Sequence, residues 1–169
     1  MPFTNQDKAH LTTLRQSLPQ KPLKGHANSY TAAAGGWSPP LAANMLVSIE
    51  TSLSGVSVGR LPEWAVDVTE VGARSDAEVH LVLAYDDHFY QQTRGSKLPA
   101  GTLYIHVDKG PCRSCRRTLR ALQKYWKCRM VVSYSGEKIV SGGHVGDKGF
   151  ADAVSLPGTG HYVLFERDG

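Results

Sequence analysis

Two helices that alternate with strands occupy the middle of this 169-residue sequence. Residues 76–90 are apolar nearly all round from Val79 to Tyr85, which predicts a helix that is covered on most sides. Residues 102–107 and 129–134 have the pattern of strands. Between them lie four apolar residues that predict a second helix with one buried face: Cys115, Leu119, Leu122 and Trp126. Alternation of this kind indicates a three-layer α/β/α sandwich, here around a central mixed sheet of about five strands.

The first part of the sequence has the composition of an arm. Residues 1–36 contain one short segment with helical spacing, 7–18, followed by a stretch rich in Gly, Ala, Ser and Asn. Such a stretch is typical of a linker or a loosely attached segment. We therefore expect one compact domain over residues 37–169.

Three further elements are predicted in that domain. A helix is expected over residues 38–53, because Ser38-Pro39-Pro40 is a typical helix start and apolar residues then recur four apart. Those apolar residues are Leu41, Met45, Ile49 and Leu53. Residues 64–71 alternate apolar and polar side chains and predict a half-buried strand. Residues 161–166 predict a last strand.

Composition excludes several classes of protein. Hydrophobic residues make up 41% of the chain and charged residues 20%, as in soluble globular proteins. No apolar run approaches the roughly 20 residues of a membrane helix, and the N-terminus lacks the pattern of a secretory signal. Only three cysteines are present, which argues against a disulfide framework and for a reducing working compartment.

Positive charge is concentrated in one segment of the chain. The net charge is +4, and eight Lys or Arg residues but no acidic ones lie between Lys109 and Arg129. A block of this kind is either a nucleic-acid surface or an ordinary solvated helix face.

The segment Ser75-Asp76-Ala77-Glu78 stands at the start of the first of the two helices. Ser75 and Glu78 have the spacing of a capping box, and Asp76 suits the positive end of a helix dipole. The same residues also form a ligand-x-Glu element, in which Asp76 binds a metal and Glu78 moves protons.

The segment Pro111-Cys112-Arg113-Ser114-Cys115 stands at the start of the second helix. Two cysteines three apart can bind one metal ion through both thiolates, which the helix dipole stabilises. A thioredoxin-type redox pair also follows a strand and opens a helix, but its flanking residues are usually apolar or aromatic. A structural zinc site would need two more ligands, and Cys128 and the scattered histidines offer no matching pair.

The two segments become informative in combination. If the two helices pack in parallel on one face of the sheet, their first residues meet at one point. Three protein ligands and a water at that point would form an open, catalytic zinc site.

On these motifs and this element order, the span from about Trp37 to Arg167 resembles the cytidine deaminase-like superfamily. It is closest in style to the deaminase toxin domains of bacterial polymorphic toxins. The resemblance implies that Cys112 and Cys115 are zinc ligands and Glu78 the general acid/base. Asp76 would take a ligand position that usually holds His or Cys. His80, one turn further along the same helix, is the alternative ligand.

The resemblance also implies a substrate and partners. Cytosine in single-stranded DNA is the first expectation, followed by cytosine in RNA or duplex DNA and then by adenine. Four arginines would bind the strand: Arg113, Arg116, Arg117 and Arg120. A toxin domain would be secreted or injected and would act in the cytoplasm of a target bacterium. We expect a monomer with no membrane contact, bound by a cognate immunity protein. His106, on the strand before the cysteines, is either a pocket residue or a buried strand histidine.

Overall fold

A computed structural model describes most of the chain. The ranges that it describes are 4–20, 30–94, 101–108, 113–134, 154–156 and 160–165, with residues 113, 114, 154–156 and 160–165 described by their backbone alone. These ranges contain four α-helices, one 3-10 helix and six strands. The α-helices are α1 (Asn5–Gln16), α2 (Glu63–Val66), α3 (Ala77–Thr93) and α4 (Arg113–Trp126). The 3-10 helix is Val71–Ser75, and the strands are β1 (Ala32–Ser38), β2 (Val47–Leu53), β3 (Thr102–Val107), β4 (Arg129–Tyr134), β5 (Val154–Leu156) and β6 (Gly160–Phe165).

The strands form one mixed sheet. Their order across it is β2-β1-β3-β4-β6-β5. Strands β3 and β4 are parallel, and the other neighbours are antiparallel. A parallel pair needs a connection that returns the chain to the same edge of the sheet, and helix α4 is that connection.

The helices cover opposite faces of the sheet. Leu103, Ile105 and Val107 of β3 belong to the apolar cluster that contains most of the buried apolar residues of α3 and α4. Tyr104 belongs instead to the cluster that contains Leu11 and Leu14 of α1. Because successive side chains of a strand point to opposite faces, α1 lies on one face and α3 with α4 on the other.

Strand β1 begins with five small residues, and both of its faces are closely approached. All seven residues of AAAGGWS are buried. A Cβ atom at Gly35 would lie 2.6 Å from Cε2 of Tyr85 in α3, and one at Gly36 would lie 2.6 Å from Cγ of Leu46. Glycine at these two positions therefore lets α3 pack on the strand from one side and the 39–46 connection from the other.

Helix α1 is attached to the sheet by apolar and ionic contacts. Its N-terminus has a complete capping box between Thr4 and Asp7, and Leu11 and Leu14 are buried. Asp7 also accepts two hydrogen bonds from the guanidinium of Arg129, at 2.9 and 2.8 Å. The hydroxyl of Tyr104 donates a third, at 2.5 Å.

Strand β2 lies at an edge of the sheet and contains an irregularity. Its pairing with β1 shifts register between Gly35 and Trp37, so that β2 has one more residue than β1 at this point. Ser48, within the shift, has a left-handed backbone with φ of 53°. The arrangement is a β-bulge.

The sequence predicted the second half of the fold better than the first. Helices α3 and α4 and strands β3, β4 and β6 are confirmed to within a few residues, and the sheet is mixed as expected, with six strands instead of about five. The helix over 38–53 is wrong, because β2 occupies 47–53 and Leu41, Met45 and Ile49 are exposed. The strand over 64–71 is also wrong, because α2 lies there.

The boundary expected near residue 37 lies inside the sheet. Strand β1 begins at Ala32, five residues before that boundary, and pairs with both β2 and β3. The helix expected over 7–18 is confirmed, and it is packed on the sheet instead of being a loose arm. Within the described ranges, no helix combines the length and the apolar character needed to cross a membrane.

Candidate metal centre

Helices α3 and α4 begin at the same edge of the sheet. Helix α3 leads into the start of β3, and α4 leads from the end of β3 back to the start of β4, which is parallel to β3. Both helices therefore run opposite to β3 and start near its C-terminal end. The topology thus brings the segment 75–78 and the start of α4, residues 113–115, to one place.

At the start of α3, Asp76 is the N-cap residue, with extended backbone angles of −74° and 144°. Its side chain makes no capping hydrogen bond in the described structure. The predicted Ser75–Glu78 capping box is not formed, because Glu78 is the second helical residue and not the third. The Asp76 carboxylate instead accepts a hydrogen bond from the Cys115 thiol, with Sγ 2.9 Å from Oδ2.

Three side chains converge at this point. The ligand atoms of Asp76, Glu78 and Cys115 all lie within 4.8 Å of one another. Glu78 is 4% exposed and Cys115 is fully buried. Two carboxylates and a thiol gathered in one place can provide several negatively charged ligands, whose charge a bound metal ion would neutralise. The group could hold a metal ion.

The spacing of these atoms can be compared with that of a zinc site. Bond lengths of about 2.3 Å to sulfur and about 2.1 Å to oxygen, at tetrahedral angles, put the two ligand atoms about 3.5 Å apart. Sγ of Cys115 and Oδ2 of Asp76 are 2.9 Å apart, the distance of a hydrogen bond. A shift of well under 1 Å, with loss of the thiol proton, converts this contact into a ligand pair. The contact between Asp76 and Cys115 is therefore close to the spacing that a shared metal ion requires.

An apolar wall surrounds Cys115. The cluster consists of Leu61, Ala65, Ala73 and Val79 with Cys115 itself. Helix α2 supplies Ala65 and the 3-10 helix supplies Ala73. A buried contact between Thr69 Oγ1 and Thr118 Oγ1 of 2.6 Å joins their segment to α4. The sequence analysis missed this wall because it predicted a strand where α2 lies. An apolar surround strengthens electrostatic interactions within the group.

His80 is directed away from the group. Its Nε2 atom lies 2.6 Å from the carbonyl oxygen of Val56. Among the described side chains, the metal-ligating cluster includes Asp76 but not His80. Cys112 lies outside the described residues. The structure thus brings together three of the four residues expected at the site.

His106 lies on the other face of the sheet. It is fully buried, and its Nδ1 is 2.7 Å from Oγ of Ser133. Burial lowers the pKa of His106 to about 4, and the positive charge of Arg15 acts in the same direction. A neutral, hydrogen-bonded imidazole next to α1 is a structural residue of the interior.

The four arginines of α4 have different environments. Arg117 is exposed and Arg120 is partly buried, with a hydrogen bond to Gln123. Arg116 is only 1% exposed, so it is not part of the exposed surface on which the sequence placed it. Burial raises the pKa of Tyr134, and the positive charge of Arg116 opposes that rise. The side chain of Arg113 lies outside the described residues.

Comparison of the chain with protein-family models, with curated proteins and with solved structures finds no match.

Proposed function

We propose that this chain is a zinc-dependent hydrolytic deaminase that acts on cytosine in nucleic acid, with the three-layer sandwich of the cytidine deaminase-like type. One observation carries the proposal: Asp76 and Glu78 of the ligand-x-Glu segment lie against Cys115 of the Pro-Cys-x-x-Cys segment. The two segments are far apart in the sequence. The topology brings the two helix starts together, and a shared metal site requires in addition that these three side chains converge there, as they do.

Each residue has a defined task in this proposal. Asp76 and Cys115, with Cys112, hold the metal. When bound, zinc lowers the pKa of water and so supplies a nucleophile at neutral pH. Glu78 takes the proton of the attacking water and delivers protons to the ring and to the departing amino group. The net reaction converts cytosine and water into uracil and ammonia.

Burial of Glu78 suits this task. Glu78 is only 4% exposed, and its carboxylate lies beside Asp76 and Cys115, within reach of a water held at the same point. Asp76 adds a negative charge that His would not, which makes the metal-coordinated water less acidic. The proximity of Glu78 as a base offsets that effect.

A nucleic-acid substrate is supported by the exposed face of α4. Arg117, Lys124 and Lys127 are exposed and Arg120 is partly so. Arg117, Arg120 and Lys124 recur three and four residues apart, which places these three on one side of α4, and Lys127 follows directly after the end of the helix. A stripe of positive charge that begins near the metal group can bind a phosphate backbone. We propose single-stranded DNA as the substrate and an interbacterial toxin, neutralised by an immunity protein, as the biological setting.

The test compares wild type with Glu78→Gln, a substitution that keeps the size of the side chain and removes its charge. Zinc-loaded protein is incubated with single- and double-stranded DNA and RNA, and the products are sequenced for C-to-U and A-to-I changes. We expect C-to-U conversion in single-stranded DNA and a loss of about 10²- to 10⁴-fold in the variant, with unchanged zinc content. Absence of any base change with wild type on all substrates would refute the proposal. Equal activity of the variant would refute the role of Glu78.

The metal ligands are tested by zinc retention. Asp76→Ala should lose most of its zinc after dialysis against a weak chelator, whereas His80→Ala, the matched control one turn away, should keep it. The opposite result would assign the ligand to His80. A chain that binds no zinc but forms a reversible Cys112–Cys115 disulfide would be an oxidoreductase instead.

A further inference from the structure

An aromatic cleft opens on the side of the domain where α2, α3 and α4 meet. It has a volume of about 410 Å³, and its lining includes Glu63 and Trp64 of α2, Asp86 and Tyr90 of α3, and Tyr125 and Trp126 of α4. Helix geometry places it about 12 Å along α3 from Glu78 and about 15 Å along α4 from Cys115, at 1.5 Å per residue. The cleft is therefore distinct from the metal group.

The aromatic side chains of the cleft are arranged around one carboxylate. Asp86 Oδ1 accepts hydrogen bonds from Nε1 of Trp126, at 2.7 Å, and from Nε1 of Trp64, at 3.2 Å. The rings of Trp64 and Tyr125 are stacked, with centroids 5.7 Å apart, and Trp126 is nearly perpendicular to Tyr125. Tyr125 is 52% exposed and Tyr90 56% exposed, so large aromatic surfaces face solvent here.

The charges of the cleft select the kind of ligand. Its lining includes two carboxylates, and none of the described residues that line it is basic. Aromatic faces carry a negative quadrupole, which attracts cations. The concentration of negative potential is notable in a chain whose net charge is +4. Phosphate groups would be repelled by Glu63 and Asp86, which disfavours a nucleic acid as the occupant.

We propose that the aromatic cleft binds a small organic cation with an alkylated ammonium head. The methyl groups of the head would pack on the exposed rings of Tyr125 and Tyr90. Its charge would lie near Asp86, whose position is fixed by the two indole hydrogen bonds. A size of 410 Å³ falls within the usual range of small-molecule sites. This proposal goes beyond the deaminase proposal and does not depend on it.

The test uses choline and its uncharged analogue of the same shape, 3,3-dimethylbutan-1-ol. Each is titrated into the full-length chain at low salt, and binding is followed by calorimetry and by the fluorescence of Trp64 and Trp126. We expect choline to bind and the uncharged analogue not to bind. Equal binding of the two ligands, or no binding of choline at about 10 mM, would overturn the proposal.

Three variants test whether choline binding depends on the charge of Asp86 and on the aromatic ring of Tyr125. Asp86→Asn keeps an oxygen acceptor for both indoles and removes the charge, so affinity for choline should fall at least about fivefold. Tyr125→Leu should weaken binding about two- to fivefold through loss of the ring, whereas Tyr125→Phe, the matched control, should bind nearly as wild type does. Unchanged affinity in both Asp86→Asn and Tyr125→Leu would overturn the proposal. A single-stranded oligonucleotide that loses affinity on Tyr125→Leu, with choline inert, would assign the cleft to base stacking instead.

Discussion

Replacing Asp7 by Asn should destabilise the protein strongly, although the residue lies only seven positions from the start of the sequence. The Asp7 and Arg129 side chains are 3% and 10% exposed, and they form a two-point ion pair of 2.8 and 2.9 Å. Asparagine keeps an acceptor for Tyr104 but leaves the guanidinium of Arg129 buried without a counter-charge. We therefore expect the free energy of unfolding to fall because an uncompensated charge remains in the interior.

The magnitude follows from the burial of the pair. Removing one partner of a buried ion pair lowers the free energy of unfolding by about 3–5 kcal/mol. That is a large part of the roughly 5–15 kcal/mol by which a domain is usually stable. For a chain of this size the melting temperature should fall by about 10 °C. Thr4→Ala is the matched control, because it removes the other half of the capping box and does not touch Arg129. It should cost only about 1 kcal/mol.

The assay is equilibrium unfolding in urea, followed by circular dichroism, on a double-mutant cycle. Arg129→Met alone should also destabilise the protein, because it leaves the Asp7 carboxylate buried. The double variant Asp7→Asn/Arg129→Met removes both charges, so it should be more stable than the sum of the two single losses implies, by about 2 kcal/mol. Additive losses, or an Asp7→Asn loss no larger than that of Thr4→Ala, would refute the reasoning.

The pH dependence of the same pair has a definite sign. Burial on its own raises the pKa of Asp7, but the hydrogen bonds from Arg129, Tyr104 and the Thr4 backbone outweigh it and hold that pKa below its usual value. The stability that the pair contributes is therefore fully present above about pH 3.9, the pKa of Asp7 in the unfolded chain. It is lost as the pH falls through the lower pKa that Asp7 has in the folded protein.

Two further predictions follow from buried groups on either face of the sheet. The pKa of His106 is about 4 in the folded protein, and the ordinary value of 6.5 applies to the unfolded chain. Between these two pH values the unfolded chain therefore binds a proton at His106 that the folded protein does not bind. Urea unfolding should show a loss of about 2–3 kcal/mol between pH 7 and pH 4.5 that His106→Asn lacks; an equal loss in the variant would contradict this. Gly35→Ala places a Cβ 2.6 Å from the Tyr85 ring and should cost about 1–3 kcal/mol in thermal unfolding, whereas Gly59→Ala, with nothing within 4 Å, should be neutral. Equal stability of the two alanine variants would contradict the close packing at Gly35.

An element could be predicted from the sequence where its buried residues recur at the regular spacing of a helix or a strand. Helix α4 has its buried residues on one side at helical spacing, and α3 is apolar on most sides because it packs on β1 and β2 as well as α4. The metal group followed from the same elements, since two helix starts on one side of a parallel connection must lie close together.

The elements that could not be predicted are those whose structure depends on distant contacts. Five of the seven residues of strand β1 are alanine or glycine, which have little preference for strands. The segment is a strand because β2 and β3 pair with it, and Tyr85 occupies the space above Gly35. The helical spacing of Leu41, Met45 and Ile49 was accidental, since Leu41 is fully exposed and Met45 and Ile49 about half exposed. The burial of Arg116 on a helix rich in basic residues likewise had no local signal.

The bulge in β2 has a consequence for association between chains. As an edge strand, β2 presents backbone N–H and C=O groups that a strand of another molecule could pair with, and unpaired edges of this kind lead to aggregation. The left-handed Ser48 and the register shift beside it interrupt that row near its start. In the described part of the sheet, the regular stretch of β2 is the four residues 50–53. The irregular edge thus disfavours pairing of β2 with a strand of another molecule. The irregularity requires one non-glycine residue, Ser48, to adopt a left-handed backbone.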